Sequence, residues 1–250
     1  MEDKVEAHLP GNLGGVHRIG TTVHRPVGYW TPAVHDLLHY LDGRLAHVPR
    51  VHGLDEQGRE VLDFLPGKVL APTTMLSEAQ LISLVSWTKA FHLAVAGFKH
   101  GGPWRSFPMS MQISSRQVFI GHNDIAPYNS CFSGDELRGV FDWDLAGPTT
   151  ALNELAFIAW NCVPLCRPIE QKVAAARIET IAQTYGAVSA AQILLTVSPR
   201  IRAMLEGIPI AAAAGDPGMK NLMAQGEPQR SRVSLVQLEE RITQIRTHLE

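Results

Sequence analysis

The sequence predicts an α+β chain with segregated elements, a small sheet-rich half followed by a larger helical half. Two observations carry this. Up to Pro66-Gly67, short apolar runs alternate with turn residues, and beyond it longer segments show helical spacing. The 250 residues can bury a full core, and 45% hydrophobic against 18% charged residues is an ordinary globular balance. Val5 to Leu9, Val16 to Ile19 and Thr22 to Arg25 read as strands joined by Pro10 to Gly15 and by Gly20-Thr21. Thr31-Pro32 then opens a helix, with threonine as its cap and Val34, Leu37, Leu38 and Leu41 as one apolar face. Val48 to Leu54 and Glu60 to Leu65 are two further strands around Asp55-Glu56-Gln57-Gly58. A helix over Ser77 to Val95 carries Leu81, Leu84, Val85, Thr88 and Phe91 at helical spacing. Residues 116–145 return to short strands around loops, and Leu152–Cys162, Ile169–Tyr185, Ala190–Glu206 and Leu235–Leu249 are four more helices. The expected division is 1–67 and 68–250, with a ligand cleft between the two halves.

Composition narrows the function. A net charge of -2 with no arginine-lysine run argues against nucleic acid as the main ligand. The amino terminus is acidic and lacks the apolar segment of a signal peptide, and the apolar stretch around Ala151 to Leu165 is too short and polar to span a bilayer. Three cysteines without framework spacing suit a reducing cytoplasm. Cys162 and Cys166 lack the second pair of a zinc site. His35 and His39, four apart on one helix, lack a third ligand and read as a solvated face.

The chemistry concentrates in residues 122–144. Asp124 and Asn129 lie five apart, and Pro127 between them keeps the segment a loop. Apolar Val140-Phe141 leads into Asp142-Trp143-Asp144, as a buried strand delivers a carboxylate to a cleft. A carboxylate, a carboxamide and a second carboxylate can thus converge from two loops. Phosphoryl transfer needs that set: one carboxylate to take the proton of the attacking hydroxyl, and hard oxygen donors for magnesium.

His122-x-Asp124-x4-Asn129 followed by Asp142-Trp143-Asp144 resembles the motifs of the aminoglycoside phosphotransferase and choline kinase group. The resemblance implies a two-lobed protein-kinase-like fold with a shortened sheet lobe. It also implies transfer of the γ-phosphoryl group of ATP, with Mg2+, to a hydroxyl of a small molecule. Asp124 would be the base, His122 the brace of its loop, and Asn129 and Asp142 the magnesium ligands, with Asp144 a second acid near the metals. Phe91-His92-Leu93 resembles the helix end before the family's catalytic loop, and Asn153-Glu154-Leu155-Ala156 stands where the family writes Asp-Leu-Ala. Glu60 to Gly67 looks like the last small-lobe strand and hinge, whose backbone at Asp63, Phe64 and Leu65 would read the adenine.

The small lobe departs from the pattern. Arg25 stands at the position of the usual phosphate-binding lysine, which a guanidinium can replace. His35 stands where the partner glutamate on the following helix is expected, so the ion pair of that pattern is missing. Gly11, Gly14 and Gly15 can form a loop over the phosphates, or simply a hairpin turn. Two alternatives stay open. One is a kinase-fold protein that binds a ligand and transfers little, as in a toxin-immunity role. The other makes His122, Asp124, Asp142 and Asp144 a hydrolytic metal cluster.

Overall fold

Turn residues between the short apolar runs let the first half fold back on itself, and the computed structural model shows the result. It describes residues 6–9, 14–72, 74–105 and 118–249. Strands β1 (Glu6–Leu9), β2 (Val16–Ile19), β3 (Thr22–Arg25), β4 (Val51–Leu54) and β5 (Glu60–Asp63) form one antiparallel sheet in the order β1-β2-β3-β5-β4. The register sets Arg25 of β3 directly opposite Glu60 of β5, and this pairing decides much of the site. Helix α1 (Thr31–Leu41) buries Val34, Leu37, Leu38 and Leu41. Thr31 lies inside the helix rather than capping it, and its hydroxyl accepts the Gly28 N–H at 2.9 Å.

The second half is mainly helical, as expected: α2 (Glu78–Val95), α3 (Ala151–Cys162), α4 (Gln171–Tyr185), α5 (Ala190–Ala213), α6 (Pro217–Ala224) and α7 (Glu227–Arg246). Ser77 and Gln80 cap α2 reciprocally, each side chain taking the other's backbone N–H. The larger differences from the sequence expectation lie in the last three helices. Helix α5 runs past Glu206 through two internal prolines, Pro199 and Pro209. Burial of Ile201, Leu205 and Ile208 along it offsets the hydrogen bonds that proline removes. Helix α6 is an addition, opened by Asp216 as cap and Pro217 at its first position. Helix α7 starts at Glu227 rather than Leu235, again with proline in its first turn.

Five short strands interrupt the helices. β6 (Lys68–Val69), β8 (Ser130–Ser133) and β9 (Glu136–Val140) form one antiparallel sheet, and β7 (Phe119–Gly121) pairs with β10 (Gly147–Thr149). The main apolar core runs from α1 to α7, with Trp87 stacked on Phe91 and Trp143 meeting Phe91 edge-on. The sheet half is fastened to the helical half by backbone: Val140 N–H donates to His47 O at 2.9 Å, and Trp87 Nε1 donates to Ala46 O at 2.8 Å. No helix among the described residues is long and apolar enough to cross a membrane.

Candidate active site

The segment between β7 and β8 is held from three sides. His122 is fully buried beside the Trp143 ring. Its Nε2 donates to Phe141 O at 3.0 Å, and its Nδ1 accepts the Asp124 N–H at 3.3 Å. This pattern requires the neutral Nε2-protonated ring, and burial pushes the His122 pKa down in the same sense. Asn123 follows with φ 64°, a left-handed conformation that a non-glycine residue holds only when its surroundings impose it. Here they do. Its N–H donates to Glu154 Oε1 at 2.7 Å, its Nδ2 to Leu145 O and Gly147 O, and its carbonyl accepts Arg200 Nη2 at 2.9 Å. Gly121 must be glycine, because a Cβ there would lie 2.3 Å from Thr149 Cγ2 and 2.8 Å from Glu154 Cδ.

Glu154 and His92 are the deep supports. The Glu154 carboxylate, 2% exposed, meets His92 Nε2 at 2.5 Å, and Tyr185 Oη bonds His92 Nδ1 at 2.9 Å. Burial raises the Glu154 pKa, but His92 and then the Asn123 N–H outweigh it and hold the carboxyl below its usual range. Its contribution to stability is therefore present above the unfolded carboxylate pKa, about 4.3, and is lost as pH falls through the lower folded value. Glu154→Gln is expected to cost about 1.5–3 kcal/mol at neutral pH, the worth of a charged hydrogen bond. The gap to wild type should narrow in urea titrations near pH 3. A gap independent of pH would contradict the assignment.

Asp124 stands at the end of this scaffold. Its Oδ2 accepts Asn129 Nδ2 at 2.8 Å and its Oδ1 accepts Tyr128 Oη at 2.9 Å. Burial, and then the Asp142 charge, push the Asp124 carboxyl up to about 7. Asn129 sits in a 3-10 turn, Pro127–Asn129, just before β8. Because Ser130 pairs with Val140 and Phe141 N–H donates to Asn129 O, Asn129 and Asp142 come to the same mouth of the β8–β9 hairpin. Asp142 itself has φ 60° and ψ 66°, a second left-handed residue at the site.

The two acids of the second motif, and Glu60 of β5, meet an arginine. Arg25 Nε reaches Glu60 at 3.0 Å, its Nη1 reaches Asp142 Oδ1 at 3.2 Å, and its Nη2 bonds Asp144. Burial opposes the guanidinium charge, and Asp144, Asp142 and Glu60 more than restore it, raising the pKa. The missing helix glutamate is thus replaced from the neighbouring strand. Glu60 bonds Arg25 with one oxygen and His35 Nε2 with the other, at 2.9 Å. His35 is therefore not on a solvated face as its spacing suggests, because β5 brings a carboxylate against α1. Asp144, 6% exposed, also takes Arg105 Nη1 at 3.2 Å. Arg105 forks both oxygens of Asp216, the α6 cap, and lies 4.3 Å over the Trp30 ring. Glu60 faces Arg25 across two strands that α1 and β4 separate in sequence, so no hairpin register marks it. Nothing in the spacing marks Arg105 or Arg200.

The remaining nucleotide candidates are less concentrated. Gly14 and Gly15 have φ 68° and 65°, and a Cβ on Gly15 would touch Pro26 Cγ at 3.3 Å, beside Arg25. Gly11 lies outside the described residues. Asp63 N–H donates to Arg50 O and Phe64 N–H to Thr21 O, so both are engaged within the sheet edge. Leu65 O accepts from Cys131 Sγ at 3.6 Å.

The site suits magnesium by its donor chemistry. Asn129 Nδ2 is committed to Asp124, which leaves Oδ1 for another partner, and the Asp142 side chain is 46% exposed. In the connected charge network, Glu60, Asp142, Asp144 and Asp216 outnumber Arg25 and Arg105. Among the described residues no three His, Cys, Asp or Glu side chains could hold an ion alone. Magnesium commonly takes one or two protein carboxylates and completes its shell with phosphate oxygens and water.

Comparisons with known proteins bear on the fold. The phosphotransferase enzyme family (APH) model matches residues 103–191. An aminoglycoside 2'-phosphotransferase-IIIa variant in complex with GDP superposes with TM-score 0.64 at 12% identity, covering 99% of this chain and 94% of that one. The fold is protein-kinase-like. A choline/ethanolamine kinase family protein from Mesorhizobium loti shares the kinase-like fold with TM-score 0.57 at 14% identity, covering 98% and 93% of the two chains. A macrolide 2'-phosphotransferase from Brachybacterium faecium follows with TM-score 0.55 at 17% identity, covering 94% and 91%. In sequence, the chain is 36% identical over 156 residues to the trifolitoxin immunity protein of Rhizobium leguminosarum bv. trifolii. That match spans 60% of this chain and 59% of the relative.

Proposed function

We propose that the protein transfers the γ-phosphoryl group of a Mg-nucleotide, ATP in the first instance, to a hydroxyl of a small molecule. The observation that carries this is the bond from Asn129 Nδ2 to Asp124 Oδ2 at the mouth that Asp142 shares, on a kinase-like fold. Asp124 accepts the proton of the attacking hydroxyl. Its carboxyl, pushed up to about 7, is a stronger base than a solvated aspartate, close to the working range of a general base. Asn129 orients that carboxylate, and His122 and Glu154 hold the loop behind it. Asn129, Asp142 and Asp144 are the groups to hold magnesium. When bound, the ion supplies charge neutralisation between the phosphate oxygens. Arg25 releases Asp142 most readily, its longest ion pair at the most exposed of its three acids, and keeps Glu60 and Asp144 while its guanidinium turns to phosphate. Since the Asp63 and Phe64 N–H groups are engaged, base recognition falls chiefly to Leu65.

A second reading is a kinase-fold binder with weak catalysis, such as an immunity role. The bridge from Arg25 to both Asp142 and Asp144, and the similarity to an immunity protein, favour it. Thermal-shift titration separates the possibilities. Mg-ATP or Mg-GTP should raise the melting temperature of wild type, and Asp142→Asn should abolish the magnesium-dependent part. ADP or GDP release with a panel of hydroxylated acceptors then reports transfer. Stabilisation by nucleotide without any Asp124-dependent release would favour the binder. No stabilisation at all would end the phosphotransferase reading and leave only a binder of some ligand other than nucleotide.

A further inference from the structure

Both oxygens of the Asp124 carboxylate already have partners within the chain. Asn129 takes Oδ2, and the Tyr128 phenol donates to Oδ1 at 2.9 Å. An O–H donor at that distance from the carboxylate is the contact an acceptor alcohol must itself make with its base, within about 2.6–3.2 Å. The phenol is held there by its place in the 3-10 turn Pro127–Asn129 and by packing against the main core.

We propose that Tyr128 stands in for the acceptor on Asp124 and keeps water from the base until an acceptor hydroxyl displaces the phenol. The inference rests on the phosphotransferase reading above. The reaction it suppresses is hydrolysis. A water oxygen bonds to the γ-phosphorus, the bond to the bridging β,γ oxygen breaks, and the water proton passes to Asp124, giving nucleoside diphosphate and phosphate. A tyrosine with a merely structural role predicts no gain of activity when its hydroxyl is removed, whereas a gate predicts one.

The test uses the full chain with Mg-ATP and no acceptor, following ADP release. Tyr128→Phe keeps the ring and should hydrolyse ATP about tenfold faster or more, the scale of one lost hydrogen bond to a charged group. Adding Asp124→Asn should remove the gain. Tyr128→Met, of similar bulk, serves if the phenylalanine variant does not fold. If wild type is stabilised by Mg-ATP but the variants release ADP no faster than it does, the gate is wrong and the phosphotransferase reading survives. If wild type shows neither stabilisation by Mg-ATP nor Mg-GTP nor any nucleotide turnover, that reading fails and takes the gate with it.

Discussion

Asp124→Asn is expected to lower phosphoryl transfer by roughly a hundredfold or more, the range of a lost general base, while Mg-nucleotide binding stays near wild type. The substituted amide can accept Asn129 Nδ2 with its one oxygen and donate its NH2 to the Tyr128 hydroxyl oxygen, so the loop that His122 and Glu154 hold should keep its shape. Only the capacity to take a proton is lost. Asp142→Asn should behave differently. That carboxylate makes its ion pair to Arg25 from a half-exposed position at the hairpin mouth, and a neutral amide is a poorer magnesium ligand. Nucleotide stabilisation and turnover should then fall together. Calorimetric binding beside single-turnover transfer measures both variants. If they prove alike, the division into base and metal ligand is wrong.

Arg25→Ala should be the most destabilising of the substitutions discussed. Its guanidinium, 12% exposed, uses three nitrogens on three acids, and two of these, Glu60 and Asp144, are nearly as buried as any charged side chain in the protein. Removing one partner of a buried pair leaves charge uncompensated at about 3–5 kcal/mol. Urea denaturation of the apo protein checks this before any nucleotide is added. Arg25→Lys should recover part of the loss, since an ammonium restores the charge but not the three-way fork. Adding Glu60→Gln to Arg25→Ala should cost far less than Glu60→Gln does in wild type, because the two residues act as a unit. A loss below about 1 kcal/mol for Arg25→Ala would show the network to be a solvated surface pairing.

The strands Val16–Ile19 and Thr22–Arg25 match their sequence expectation residue for residue, and α3 differs by a single residue at its start. These are segments where local cues agree: Gly20-Thr21 as a two-residue connection, and unbroken apolar spacing. Helix ends near prolines depart from the sequence expectation. Pro217 and Pro228 stand in first turns, and α5 continues through Pro209 as it does through Pro199, which the expected helix already contained.

By itself, the sequence determined the sheet-rich and helical halves and set Asp124 and Asn129 in one loop, because a five-residue spacing across Pro127 is a local geometric constraint. It also determined that Asp142 would arrive on an apolar strand. Only the tertiary structure decided what surrounds those groups. Glu60 reaches Arg25 through a strand register, Arg105 reaches Asp144 across 39 residues, and Arg200 reaches the Asn123 carbonyl across 77. Charged side chains in a cleft are chosen by distance in space and by the cost of leaving a buried charge alone, and neither quantity has a period that a linear pattern can record.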